Sequence, residues 1–377
     1  MSTNQFNSTF GGIIKAVLSL TLVLSLVMSG MSGLTSRPEG NREQAWNVIF
    51  MIGDGMGENH LEWAKQLTGK ELAMETMTYR GQSETASASA SVTDSAAGGT
   101  ALACGVRTIN GYIGVYNVSP LKTMGYPQNL TELAISLHKM TGIVTTDSTA
   151  GATPAAFSAH SSSRSNTEDI TNQQVASGIN LIWGKTSGYA SREAVEKAGK
   201  VYIDNYTDLK ALTPDDMSFA QFGSDMWAES VITGDTPTLS QMTSAAIDLL
   251  KGAENGFFLM VEGAHIDKHS HSNRENDMAS ALIEFDGAIQ IALDFAKENG
   301  NTLVIVTADH ETGAIKLNSD GTYSYTQTSH SGANVPLLVY GCNDFIENGE
   351  VVKNMDIPVL VSLVWGRNGA FPKRITD

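Results

Sequence analysis

Short apolar runs of strand length alternate with helical patterns along much of the chain, and this alternation limits the folds that the sequence can adopt. The first run, Asn47–Ile52, is almost continuously apolar, which is typical of a strand buried on both faces of a sheet. Comparable runs lie at 142–146, 256–261, 302–306 and 335–340, and helical patterns lie at 129–140, 238–251, 276–299 and 355–365. We therefore predict a three-layer α/β fold, in which helices cover both faces of a large, mostly parallel central sheet.

Residues 166–235 follow the same alternation less clearly. Candidate strands lie at 179–183, 200–203 and 218–222, with a helical pattern at 192–197. No repeat, charge run or low-complexity tract marks a boundary in this part of the chain. We predict that residues 47–377 form a single catalytic domain.

The N-terminal residues 1–33 have the pattern of an export signal. Lys15 precedes the apolar run 16–28, and small residues follow as far as Gly33. Because the run is shorter than the roughly 20 apolar residues that a membrane span needs, we predict that this signal peptide is removed and that the protein is periplasmic or secreted. A retained N-terminal anchor is the alternative. Residues 34–46 are predicted to form a polar linker.

The charge of the chain limits its partners. The 377 residues include 24 Lys and Arg against 40 Asp and Glu, a formal net charge of -16. Such a surface repels nucleic acid and anionic membranes, so we expect neither specific nucleic-acid binding nor a stable membrane anchor. An anionic substrate would need local cations, which bound metal ions would supply. The only cysteines, Cys104 and Cys342, are predicted to be buried, unpaired thiols.

The stretch 92–101, Val-Thr-Asp-Ser-Ala-Ala-Gly-Gly-Thr-Ala, contains a candidate nucleophile. Asp94 or Thr93 can cap a helix here, which would place Ser95 in its first turn, where unpaired N–H groups favour an oxyanion. A serine hydroxyl is inert at neutral pH, so a base or a metal would have to activate it. A capped helix start with no chemical role is the alternative.

Acidic residues follow three of the predicted strands. Asp54 follows the first, Glu262 follows 256–261, and Asp309-His310 follows 302–306; Thr153 lies shortly after 142–146. Ligands of open α/β sheets bind at the carboxyl ends of the strands, so these residues would meet at one edge. A single acidic residue after a strand is often only a helix cap, but three strands that end this way favour a metal site.

The residue types suit two kinds of metal. Asp267 and His271 have the i, i+4 spacing of one helical face, and with His330 they would form a zinc site with open positions. His330 could equally be an isolated surface histidine. A second zinc could be held by three further residues, Asp54, Asp309 and His310, beside Ser95. Hard oxygen ligands that suit magnesium come from Asp54, Thr153 and Glu262.

Two basic residues could bind the substrate. The Arg164 guanidinium can bind two phosphate oxygens at once, although it could also be a surface arginine. Lys268 could add a second positive charge. With Ser95 between two zinc ions, the arrangement predicts phosphoryl transfer to serine, followed by hydrolysis of the phosphoserine.

These motifs together resemble the bacterial alkaline phosphatases. The resemblance is carried, in the family's order, by residues 47–57, 92–96, 152–156 with Arg164, 261–268 with His271, 306–310 and 329–332. It implies Ser95 as nucleophile, Arg164 as phosphate clamp and the two zinc sites and one magnesium site described above. It also implies an exported homodimer that hydrolyses many phosphate monoesters at alkaline pH and releases inorganic phosphate.

The sequence departs from the family at Gly151, where relatives carry Asp or His near the third metal, whereas Lys268 matches some relatives. The chain is also too short for a large dimer-covering insertion. Two other functions are compatible with parts of this pattern. A phosphodiesterase or sulfatase would share the two-metal architecture, but Thr153, Glu262 and Arg164 suit a monoester dianion. A non-catalytic phosphate or metal binder would have no need of Ser95.

Overall fold

A ten-stranded sheet forms the centre of the computed structural model, which describes residues 47–118, 123–367, 371–372 and 374–375. The described residues lie in one compact unit, Glu43–Asp377. The predicted signal peptide and linker lie outside them. The strands of the large sheet, in spatial order, are β16 (Val351–Lys353), β2 (Tyr79–Glu84), β15 (Val335–Tyr340), β10 (Thr302–Thr307), β1 (Asn47–Gly53), β9 (Phe257–Gly263), β5 (Met140–Ser148), β6 (Leu181–Lys185), β8 (Ser218–Phe222) and β7 (Val201–Ile203).

The predicted α/β fold is confirmed, because nearly all neighbouring strands of this sheet are parallel. The exception is β15, which runs antiparallel to both of its neighbours, β10 and β2. Among the described residues, three small sheets lie outside the large one. They comprise β11 (Glu311–Thr312) with β14 (His330–Ser331), β12 (Lys316–Leu317) with β13 (Tyr323–Ser324), and β17 (Arg374–Ile375) with β4 (Thr123–Pro127) and β3 (Tyr116–Val118).

Helices follow most strands. They are α1 (Glu58–Thr68), α2 (Ser95–Cys104), α3 (Leu130–Ser136), α4 (Ala152–Ala156), α5 (Thr167–Ala176), α6 (Arg192–Lys197), α7 (Tyr206–Lys210), α8 (Leu239–Leu250), α9 (His265–Ser270), α10 (Glu275–Asn299) and α11 (Asp356–Val364), with 3₁₀ turns at Ala73–Thr76 and Glu229–Val231. Within the described residues, no helix has both the length and the apolar character needed to cross a membrane.

The two faces of the sheet bury different side chains of the same strand. Ile49 and Met51 of β1 belong to the core that packs against α8 and α10. The intervening Phe50 points to the other face, where its ring lies edge-on to Phe157 at 5.8 Å. Because alternate side chains of β1 are buried on opposite faces of the sheet, the strand is a continuous apolar run.

Some boundaries differ from the prediction. The helical pattern at 129–140 ends at Ser136, because Met140 already begins β5. The helix that begins near Thr153 is a single short element, and Arg164 lies in the loop between α4 and α5. Cys104 and Cys342 are both buried.

Candidate active site

The carboxyl ends of three adjacent parallel strands bring together the acidic residues found in the sequence. In the register of the sheet, Ile52 of β1 lies beside Thr307 of β10 on one side and Glu262 of β9 on the other. Asp54 and Asp309 come two residues after Ile52 and Thr307 in the chain. The common edge of β10, β1 and β9 therefore collects three carboxylates within the span of three strands.

Ser95 is placed at this edge as the first residue of α2. The Asp94 side chain caps the helix by accepting a hydrogen bond from Ala97 N at 3.0 Å. Ser95 is only 4% exposed, and its Oγ lies 3.1 Å from His310 Nε2. Gly98 allows this close approach, because a Cβ there would come within 2.7 Å of the Asp309 carbonyl oxygen. The small-residue run thus lets the N-terminus of α2 pack directly against the acidic edge.

Asp267, His271 and His330 form the first ligand group. The His271 Nε2 lies 3.3 Å from Asp267 Oδ1 and 3.0 Å from His330 Nε2, and the His330 Nε2 lies 3.6 Å from Asp267 Oδ1. Each ring has its Nδ1 beside a backbone carbonyl, that of Thr328 for His271 at 2.6 Å and that of Thr93 for His330 at 2.9 Å. Because a carbonyl only accepts, each Nδ1 carries a proton, and the two Nε2 atoms face each other. Two facing ring nitrogens and a carboxylate fit a bound cation.

Asp54, Asp309 and His310 form the second group. The His310 Nε2 lies 3.5 Å from Asp54 Oδ1 and 3.3 Å from Asp309 Oδ2. Both carboxylate oxygens are buried, and neither takes part in a hydrogen bond with any described residue. Burial raises the pKa of Asp54 well above its usual value, with the Asp309 charge as the next cause, and burial lowers the pKa of His310 to about 3. Unpaired buried oxygens beside a neutral imidazole fit a divalent cation such as zinc.

The two groups are contiguous. The ligand atoms of Asp267, His310 and His330 lie within 4.8 Å of one another, as do those of Asp54, Asp309 and His310. The rings of His310 and His330 stack with their centroids 3.5 Å apart. Two cations held by these groups would therefore be near neighbours, with Ser95 beside them.

The third group lies at the end of β9. The Glu262 Oε2 accepts a short hydrogen bond from the Thr145 hydroxyl, and the buried Thr153 Oγ1 has no hydrogen-bond partner among the described residues. Burial, with the charge of Asp147 as the next cause, raises the pKa of Glu262 to about 8. A buried carboxylate and an unpaired hydroxyl are oxygen donors of the kind that magnesium binds.

The two basic residues pair with acidic neighbours. Arg164 Nη1 lies 3.2 Å from Asp94 Oδ2, and its side chain is 41% exposed. The Lys268 Nζ makes a short ion pair with Asp147 Oδ1. Gly151 lies against that carboxylate, since a Cβ at this position would come within 3.0 Å of Asp147 Oδ2. Arg164 is therefore accessible at the site, whereas Lys268 is linked through Asp147 to the third group.

The sequence patterns did not single out two residues that contact the site. Asp147 is one, and the other is Thr312, whose hydroxyl lies 2.5 Å from Asp267 Oδ1. Asp147 directly follows the predicted strand 142–146, so it carries the same kind of signal as Asp54 and Asp309, and β5 itself extends as far as Ser148. Thr312 follows Asp309-His310 closely in the chain, which was the only available hint.

An α/β sheet whose strand ends gather histidines and buried carboxylates beside a buried serine defines a metal-binding enzyme. Comparison with known proteins then identifies the family. The alkaline phosphatase family model matches residues 45–182 and 184–354. Alkaline phosphatase 3 of Bacillus subtilis is 32% identical over 345 residues, which cover 82% of this chain and 72% of that protein. Alkaline phosphatase of Escherichia coli is 28% identical, covering 79% of this chain and 81% of that one.

Comparison of the fold with solved structures supports the same family. The solved alkaline phosphatase of the Antarctic bacterium TAB5 superposes with a TM-score of 0.76 at 30% sequence identity, covering 86% of this chain and 99% of that one. The chain belongs to the alkaline phosphatase family and is a phosphatase, as the motifs predicted.

Proposed function

We propose that this chain hydrolyses a broad range of phosphate monoesters through a phosphoserine formed on Ser95, with two zinc ions and one magnesium ion. The observation that carries the proposal is the position of the Ser95 hydroxyl. It is buried at the first residue of a helix, 3.1 Å from His310 Nε2, beside two groups of ligand atoms. A helix N-terminus favours negative charge, so this position suits an oxygen nucleophile and an anionic substrate.

Three sets of side chains would hold the cations. The zinc sets are Asp267, His271 and His330, and Asp54, Asp309 and His310; the magnesium set is Asp54, Thr153 and Glu262. The chemistry that zinc supplies when bound is Lewis acidity, which favours loss of a proton from a hydroxyl group or water. A variant of the TAB5 enzyme was solved with magnesium bound in its M3 site, which supports a magnesium site in this family.

The chain's own groups then perform the transfer. Arg164 turns from Asp94 to bind two phosphate oxygens, which orients the phosphorus for attack. The Ser95 Oγ forms a bond to phosphorus as its proton passes to solvent water, while the bond from phosphorus to the alcohol oxygen breaks and that oxygen takes up a proton from solvent water. Water then attacks the phosphoserine, which releases inorganic phosphate and restores the Ser95 hydroxyl.

We further propose that the protein is exported to the periplasm or secreted, that it acts as a homodimer and that its activity is highest at alkaline pH. The family relationship supports the dimer and the alkaline optimum. The export pattern of residues 1–33 supports the location. The buried carboxylates support the pH optimum, because they must lose their protons before they can hold cations.

A substitution of Ser95 tests the nucleophile. We expect Ser95→Ala to lower turnover of p-nitrophenyl phosphate by more than about 1,000-fold, because the covalent step is lost, while zinc content stays near that of the wild type. The matched control is Ser362→Ala, which removes a hydroxyl buried in α11 and should leave turnover unchanged. Unchanged turnover in Ser95→Ala would remove Ser95 from the mechanism.

The substrate class is tested on the same wild-type preparation. We expect the phosphate monoester to be hydrolysed faster than the corresponding p-nitrophenyl diester or sulfate, because Arg164 suits the two free oxygens of a monoester dianion. A diester rate above the monoester rate would replace the proposed activity with that of a phosphodiesterase.

A further inference from the structure

The three candidate histidine ligands are oriented by two different kinds of partner. In His271 and His330, backbone carbonyls fix the proton on Nδ1, and no side-chain substitution can remove those partners. The His310 Nδ1 instead lies 3.3 Å from the Thr312 hydroxyl. The orientation of His310 therefore depends on a side chain.

The Thr312 hydroxyl can satisfy its neighbours in only one way. Its Oγ1 lies 2.5 Å from Asp267 Oδ1, and an ionised carboxylate only accepts hydrogen bonds. The single hydroxyl proton must therefore point to Asp267, and the oxygen must accept from His310. This assignment places the proton of the His310 ring on Nδ1 and leaves a lone pair on Nε2, which faces Asp54, Asp309 and Ser95.

The Thr312 side chain is held at this point by its surroundings. Thr312 is fully buried, its N–H donates to the Gly55 carbonyl at 3.0 Å, and it pairs with His330 in the small sheet of β11 and β14. A Cβ at Gly55 would come within 2.8 Å of Oγ1, so only glycine leaves room for the hydroxyl there. The Thr312 Oγ1 is thereby fixed between Asp267 of the first group and His310 of the second.

We propose that Thr312 is a positioning residue that orients both candidate zinc sites at once. Its hydroxyl holds the Asp267 oxygen that faces His271 and His330, and it sets the tautomer of His310. The inference rests on the proposed zinc sites. Groups that orient metal ligands in this way typically change metal affinity by 10- to 100-fold when removed.

The principal experiment compares Thr312→Val with Thr312→Ser in the full-length protein. Valine keeps the branched shape and removes the hydroxyl, whereas serine keeps the hydroxyl. We expect Thr312→Val to weaken zinc binding by about 10- to 100-fold in chelator competition, with serine restoring it. Thr243→Val is the matched control, because Thr243 is also fully buried but its hydroxyl bonds only the Leu239 carbonyl.

A second measurement reads the tautomer of His310 directly. Nitrogen-15 chemical shifts of the metal-free wild type should show the His310 proton on Nδ1, and Thr312→Val should show both tautomers. A proton on Nε2 in the wild type, or wild-type zinc affinity in Thr312→Val, would overturn the role of Thr312. Failure of the proposed function would instead appear as a wild-type protein that binds no zinc and releases no phosphate.

Discussion

The two ligand groups around His310 and the third group around Glu262 are prepared for cations in different ways. In the first group, the Nε2 atoms of His271 and His330 face each other, and in the second, one buried oxygen each of Asp54 and Asp309 has no hydrogen-bond partner among the described residues. In the third, Glu262 already accepts a hydrogen bond from Thr145. The nearby carboxylate of Asp147 is likewise paired with Lys268.

This difference has a physical consequence. A cation that enters between His271 and His330 meets two ring nitrogens that already face each other. A cation at Asp54 or at Glu262 must compete with a proton, because burial raises the pKa of both carboxyls, that of Glu262 to about 8, but at Glu262 it must also share the carboxylate with the Thr145 hydroxyl. We therefore expect tight, preorganised zinc sites and a weaker magnesium site whose occupancy depends on pH.

The largest expected effect comes from removing one charged ligand from each region. Asp309→Asn should lower kcat/KM by at least about 100-fold and remove one zinc ion, because it replaces a buried ligand beside Ser95. Glu262→Gln should lower kcat/KM by only about 10-fold and abolish the response to added magnesium. Steady-state kinetics with metal analysis of both variants provides the measurement. If Glu262→Gln lowered kcat/KM as much as Asp309→Asn or more, the two regions would not differ in this way.

The same comparison explains how much could be predicted from the sequence. Asp54, Glu262 and Asp309 were found because each follows a buried apolar strand, and the strand pattern alone places them at one edge of the sheet. Thr312 was not found, because its contact with Asp267 forms only in the folded chain. A threonine in a polar segment carries no periodic signal of its own. Asp147 directly follows the predicted strand 142–146 and so shares the pattern of Asp54, but its pairing with Lys268 emerges only in the folded chain.

Parts of the fold were missed for a related reason. The β2 segment, Tyr-Arg-Gly-Gln-Ser-Glu, is mostly polar because it lies next to the edge of the sheet and only Gly81 and Ser83 are buried. The helix Thr167–Ala176 has mostly polar residues and few apolar positions. The antiparallel direction of β15 was not predicted either, because an apolar run reads alike in both directions.

A medium effect is expected in the stability of the metal-free protein. Glu262 has a folded-state pKa of about 8 against an ordinary value of 4.5, so the folded state binds more protons between these values. The free energy of unfolding should therefore fall as pH rises from about 4.5 to about 8 and level off above. Urea denaturation across this range measures the slope, and Glu262→Gln, which cannot titrate, should reduce it. A slope that is the same in both proteins would show that Glu262 is not the titrating group.

The smallest effect concerns the residue that links Lys268 to the third group. Because the Asp147 charge helps to raise the pKa of Glu262, Asp147→Asn should move the pH-dependent loss of stability to lower pH in the metal-free protein. The ion pair itself is partly exposed, with Lys268 at 40% and Asp147 at 27%, so its loss should cost less than about 1 kcal/mol. Asp225→Asn is the matched control, since it breaks a similar pair with Lys185. If the pH dependence of stability shifts equally in both variants, the shift results from the loss of an ion pair in general. Asp147 would then have no specific effect on the magnesium site.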